Sequence, residues 1–69
     1  MDNGGDNLFT VKELREAKGL KQGDMAKIIG VSAPNYCKKE KGDIKFSLNE
    51  AKIIANEFGK QIEEISFDS

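Results

Sequence analysis

Gln22 to Gly42 reads QGDMAKIIGVSAPNYCKKEKG, and it constrains the chain more than any other stretch: an amphipathic run, a glycine break and a second capped run follow without slack. Met25, Ile28 and Ile29 fall at i, i+3 and i+4 and share one helical face, and Ala26 beside them lets another backbone approach closely. Gly30 supplies the left-handed conformation that ends a helix, Val31 returns an apolar side chain to the core, and Ser32 is placed to cap the next helix. The pattern predicts two helices joined by a few residues. So short a link leaves them steeply crossed, with the second helix projecting from the body of the domain.

The flanks supply the rest of a helical domain. Thr10-Val11-Lys12-Glu13 has the T-x-x-E form of a capping box, and Val11, Leu14 and Ala17 then trace one face, so helix 1 is expected from about Val11 to Lys18, before Gly19. Ser47 to Glu50 repeats the device as S-x-x-E, followed by a stripe of Leu48, Ala51, Ile54, Ala55 and Phe58 up to Gly59, which predicts a fourth helix. Gln61 to Ile65 is expected to form a short fifth helix with Ile62 and Ile65 facing inward. The second helix, Gln22 to Ile29, starts weakly on paper: Lys21 cannot accept an amide hydrogen bond at the cap, Gly23 lowers propensity, and Asp24 must compensate. Met1 to Asn7 is glycine- and acid-rich without apolar pattern, so residues 1–7 are expected to be a disordered leader to a domain over 8–67.

Gln22, Ala26, Gly30, Val31, Ser32, Glu40 and Gly42 together match the pattern of the Xre/Cro family of phage-repressor-like helix-turn-helix proteins, and the resemblance runs from about Thr10 to Ile65. It implies an all-α, five-helix repressor-like DNA-binding domain with its helix-turn-helix at helices 2 and 3. It also implies a transcriptional regulator that reads the major groove with helix 3, about residues 33–41, as a homodimer on an approximate inverted repeat in double-stranded DNA.

Composition narrows the field. With no histidine and one cysteine among 69 residues, neither an internal disulfide nor a plausible zinc ligand set is available, and no nucleophile and base pair suggests an enzyme. No cofactor or small-molecule ligand is implied. No run approaches a membrane span and the polar amino terminus is unlike a signal peptide, so a cytoplasmic, DNA-associated location is expected. The net charge of −1 argues against a nonspecific DNA coater. Its distribution is uneven: Lys21 to Phe46 holds six lysines against Asp24, Glu40 and Asp43, a balance of +3, whereas Ser47 to Ser69 has two lysines against five acids, a balance of −3. The positive part coincides with the segment that would meet phosphates.

The resemblance also assigns residues. The base-reading positions near the start of helix 3 carry Ala33 and Pro34, which can offer only apolar contact to thymine methyl groups or shape the helix start, and Pro34 restrains Ala33 toward extended geometry. Asn35 and Lys38, three apart on the same face, are the principal base readers expected, for adenine and guanine respectively, with phosphate contact the alternative for each. Gln22 is expected to touch a phosphate and brace helix 3, and Lys41 and Lys45, flanking the turn after it, to hold phosphates without reading sequence. Arg15, the only arginine, is implied to pair with Glu40.

Four residues stand apart from the pattern. Tyr36 stands where an aliphatic core residue is usual, and either packs inside or reaches a phosphate. Cys37 is a small filler or a thiol beside a lysine, and Lys39, at a usually apolar position, must cover the core with its stem while its ammonium reaches out. Phe67 either packs back on its own chain or makes a dimer contact. The alternative functional class is a protein-interaction module of the same fold, antitoxin-like or anti-repressor, which the apolar Ala33 and Pro34 and the acidic total would suit.

Overall fold

In the computed structural model, which describes residues 8–67, Thr10 opens helix α1 (Val11–Ala17) through a reciprocal cap. The Glu13 amide donates to Thr10 Oγ1 at 3.0 Å, and Glu13 Oε1 accepts from the Thr10 amide at 2.9 Å. The leader expected over residues 1–7 lies outside the described residues. Ser47 starts helix α4 (Leu48–Glu57) by the same chemistry, exchanging bonds of 2.9 and 3.1 Å with Glu50. Helix α2 (Gln22–Ile29) begins at Lys21, whose amide donates to Asp24 Oδ2 at 2.9 Å, so Asp24 supplies the half of the capping interaction that a lysine cap permits.

Between α2 and helix α3 (Ala33–Lys41) the chain turns at Gly30, where φ is 79°, and the amides of Gly30 and Val31 both donate to the Ala26 carbonyl at 2.8 and 2.9 Å. A Cβ at Gly30 would meet nothing within 4 Å, so the glycine is there for its conformation and not for space. Ser32 Oγ accepts from the Asn35 amide at 3.2 Å and the helix begins at Ala33, the residue before Pro34. Proline in the first turn removes an amide that has no intrahelical partner, and the serine cap offsets the restraint on Ala33.

The helices enclose one core. Met25, Tyr36 and Ile54 are fully buried side chains from α2, α3 and α4, joined by Val11 and Leu14 from α1 and by Ile65. Helix α2 contacts both α3 and α4, which is why its face of Met25, Ala26 and Ile29 is apolar.

Four α-helices are present among the described residues, not five. The segment expected as a fifth forms one 3-10 turn, Ile62–Glu64, and then extends. Three residues give too few hydrogen bonds to offset the cost of helix nucleation. Ile65 gains more by pairing: β2 (Ile65–Ser66) lies parallel to β1 (Phe9–Thr10) with Phe9 opposite Ile65 and Thr10 opposite Ser66, which buries Ile65 and closes the two ends of the domain together.

Two residues of the expected apolar stripes face outward. Ala17 is exposed, and Leu48 is 66% exposed at the first position of α4, before the helix has turned its apolar face onto the core. Phe67 packs back on its own chain, half-buried and edge-on to Phe46, with ring centroids 5.7 Å apart. Lys60 places its ammonium over the Phe9 ring, 4.5 Å from its centroid.

Candidate nucleic-acid interface

The two faces of α3 have opposite chemistry. Tyr36 and Glu40, one turn apart, are buried, whereas Ala33, Pro34, Asn35 and Lys38 are all exposed. Pro34, Asn35 and Lys38 therefore stand together on the outer side of the helix, whereas Ala33, three residues before Tyr36 and seven before Glu40, lies on the inner side and is exposed because the helix starts there. Cys37 is half-buried at the boundary of the two faces.

A buried carboxylate holds the inner face in place. Glu40 Oε2 accepts from Tyr36 Oη at 2.6 Å and from Arg15 Nε at 2.7 Å, while Oε1 accepts from Gln22 Nε2 at 3.0 Å and from Arg15 Nη2 at 3.3 Å. Arg15 Nη1 also donates to the Leu20 carbonyl at 2.9 Å, in the turn that leads into α2. One acid thus ties α1, the α1–α2 turn and the start of α2 to the end of α3. Burial pushes the Glu40 carboxyl up, but the hydrogen bonds from Arg15, Tyr36 and Gln22 outweigh it and leave the group below the usual carboxylate range. Its hydrogen bond to Glu40 likewise raises the Arg15 guanidinium against the opposing effect of burial. Burial and then the Glu40 bond push the Tyr36 phenol well above its ordinary value.

This network decides between the alternatives at Tyr36. Its side chain is 0% exposed and its hydroxyl is spent on Glu40, so it does not reach a phosphate from the helix edge. Gln22, half-buried at the first position of α2, braces α3 through Glu40.

After α3, Gly42 adopts a φ of 93°, and the amides of Asp43 and Ile44 fold back onto the Lys38 carbonyl at 2.9 and 3.3 Å. Two amides of the loop are therefore consumed in closing the helix, and the outward features nearby are side chains. Lys41 and Lys45 are both exposed, Lys41 lying 4.0 Å from the carboxylate of Asp43. Such an exposed pair contributes little and leaves the ammonium available to another anion.

Lys39 departs from the expectation that its ammonium reaches solvent. It turns inward and donates to Glu50 Oε1 at 3.0 Å and to the Lys45 carbonyl at 3.1 Å. The Lys39 and Glu50 side chains are only 12% and 14% exposed. Burial pushes the Glu50 carboxyl up, and the Ser47 amide with the Lys39 ammonium brings it below the usual range. Sequence reasoning missed this pair because its partners are on different elements; the available signal was a lysine three residues after Tyr36 and one before Glu40, a register that faces the core and demands a counter-charge.

Among the described residues no helix is long and apolar enough to cross a membrane and no cluster of side chains has the make-up of a metal site. Searches of curated proteins and of solved structures gave no match. A family model described as Helix-turn-helix, of the Xre/Cro type, matches residues 11–65. That span runs from the first residue of α1 through the α2–Gly30–α3 turn to Ile65, so the chain belongs to the Xre/Cro-type family of helix-turn-helix DNA-binding proteins.

Proposed function

We propose that the protein is a sequence-specific transcriptional regulator of the phage-repressor or Cro type, reading the major groove with α3. The observation that carries this reading is the division of α3 between a buried face anchored through Glu40 and an exposed face of Pro34, Asn35 and Lys38, with Ala33 exposed at the helix start. A reading helix has to be held rigidly from behind, since base contacts depend on register. Asn35 has the donor and acceptor pair that adenine presents in the major groove, and Lys38 donates to guanine O6 and N7, each contact discriminating by ~1–3 kcal/mol. Ala33 and Pro34 add apolar contact at thymine methyl groups. Gln22, Lys41 and Lys45 meet the phosphate backbone and set the register without reading sequence.

Binding is as a homodimer, with two α3 helices entering successive major grooves ~34 Å apart, which makes the operator an approximate inverted repeat. The site of action is the cytoplasmic nucleoid.

Fluorescence-anisotropy titration with duplex DNA from upstream of the protein's own gene, against a scrambled duplex, at ~50 and ~200 mM salt, tests the reading. Tight binding to the native duplex alone, falling steeply with salt and weakened by Lys38→Ala and Lys41→Ala, is the expected result. Equal, weak binding to both duplexes, indifferent to those substitutions, would overturn it and direct attention to a protein partner.

A further inference from the structure

We infer that Lys39 is a positioning residue for DNA-backbone binding, acting through the α3–α4 loop and not by touching nucleic acid. The inference deepens the regulator reading above and rests on it.

Lys39 lies between the outward Lys38 and the buried Glu40, and its ammonium is enclosed against Glu50 and the Lys45 carbonyl at 3.0 and 3.1 Å. A cation covered to this extent and already paired is poorly placed to neutralise a phosphate. What it grips, however, is the backbone of Lys45, whose own side chain is exposed beside the carboxyl end of α3. One residue is thus held by its carbonyl while its charge faces outward.

The second partner extends the tie. Glu50 Oε1, which accepts from Lys39, also accepts from the Ser47 amide at 2.9 Å, so the cap of α4 is shared with α3. Phe46, between the two gripped residues, packs edge-on to Tyr36 of α3 at a centroid distance of 6.3 Å. Loop, α4 cap and α3 are therefore tied to one another, and the backbone at Lys45 is placed relative to α3 before DNA arrives. Preordering of this kind cuts the entropy lost when the loop settles on a phosphate backbone. Stability alone is a weak rationale for the pair, because a buried ion pair is commonly no better than well-packed apolar side chains of similar volume.

Two substitutions of opposite charge separate positioning from plain electrostatics. Lys39→Met keeps the length of the stem and removes the ammonium; Glu50→Gln removes the acid but keeps a side chain that can complete the α4 cap. Net charge alone makes the first variant bind DNA more weakly and the second more tightly. Positioning makes both weaker. Measured by anisotropy on the duplex that the unmodified protein prefers, each variant is expected to lose about three- to tenfold in affinity, with a salt slope shallower by about one as a phosphate contact is lost. Amide hydrogen exchange at Ser47, whose amide donates to Glu50, measured without DNA, is expected to accelerate in both, because Lys39→Met frees Glu50 from α3 and Glu50→Gln offers that amide only a neutral acceptor.

Binding by Glu50→Gln that equals or exceeds that of the unmodified protein overturns the inference, as does an unchanged salt slope in both variants. Should Lys39→Met fail to fold, Glu50→Gln decides by itself. Failure of the unmodified protein to bind any duplex overturns the regulator reading and this inference with it, and is distinct from binding that the two substitutions leave unchanged.

Discussion

Tyr36 and Glu40, successive inward residues of α3 one turn apart, are joined by a hydrogen bond of 2.6 Å from the phenol to the carboxylate. The bond lets an aromatic side chain with a polar tip occupy a fully buried position, and it gives an acid that faces the core a donor from its own helix. Tyr36→Phe keeps the ring and removes the donor, so it is expected to cost ~1.5–3 kcal/mol, the range for hydrogen bonds to charged groups. Urea unfolding measures the loss. NMR titration should show the Glu40 carboxyl moving up toward its ordinary value, because one of the interactions that depress it has gone.

Arg15→Met is expected to be more damaging than Tyr36→Phe. It leaves Glu40, 4% exposed, without its counter-charge, and removing one partner of a buried pair typically costs ~3–5 kcal/mol; with Arg15 itself 11% exposed, about 3 is the appropriate figure. The double variant Arg15→Met, Glu40→Leu should recover part of that loss, since the uncompensated charge is then absent. A thermodynamic cycle on the four proteins reads the coupling directly, and strict additivity would refute it.

Stability is expected to fall on both the acid and the alkaline side. Glu40 and Glu50 have folded-state values below the unfolded carboxylate value of ~4.3, so their contribution is complete above that pH and disappears as pH drops through their lowered values. Tyr36 is raised, which favours its neutral form in the fold; its contribution is complete below the unfolded value of ~10 and declines as pH rises beyond it. Unfolding free energy measured between about pH 3 and about pH 11, which brackets the unfolded carboxylate and phenol values, should show the onset of both declines. In Tyr36→Phe the alkaline decline should shrink.

At Gly30 the left-handed backbone, with φ at 79°, is the whole requirement, since an added Cβ would have open space. Gly30→Ala is therefore expected to cost ~1–2 kcal/mol from backbone strain alone, and Gly30→Asn less, because asparagine visits that region more readily. Thermal unfolding of the two variants gives the order. Equal losses would mean that something other than the dihedral angle is at stake.

Asn35→Ala and Lys38→Ala should leave folding nearly untouched, within about 0.5 kcal/mol, because both side chains are exposed on α3. Their effect belongs to DNA: each is expected to relax discrimination at one base pair by ~1–3 kcal/mol, whereas Lys41→Ala weakens all sequences alike and flattens the salt dependence. Binding to a panel of single-base operator variants separates the two behaviours.

Local signals along the chain determined the helical framework. Capping boxes at Thr10 and Ser47, the glycine at position 30 and the 3.6-residue spacing of apolar side chains act within a few residues of themselves, so α1 to α4 and the turn between α2 and α3 could be read without any tertiary knowledge. The exposed face of α3 is legible for the same reason, being a matter of register. Tertiary structure decided what depends on partners far apart in sequence. Ile65 left the helical path to pair with Phe9, Phe67 found Phe46, and Lys39 turned inward to Glu50 and the Lys45 carbonyl. Register could mark Lys39 as inward, but in none of these cases does a short-range signature name the partner, since a strand pairing, a ring contact or a buried counter-charge takes its energy from a neighbour that only the folded chain supplies.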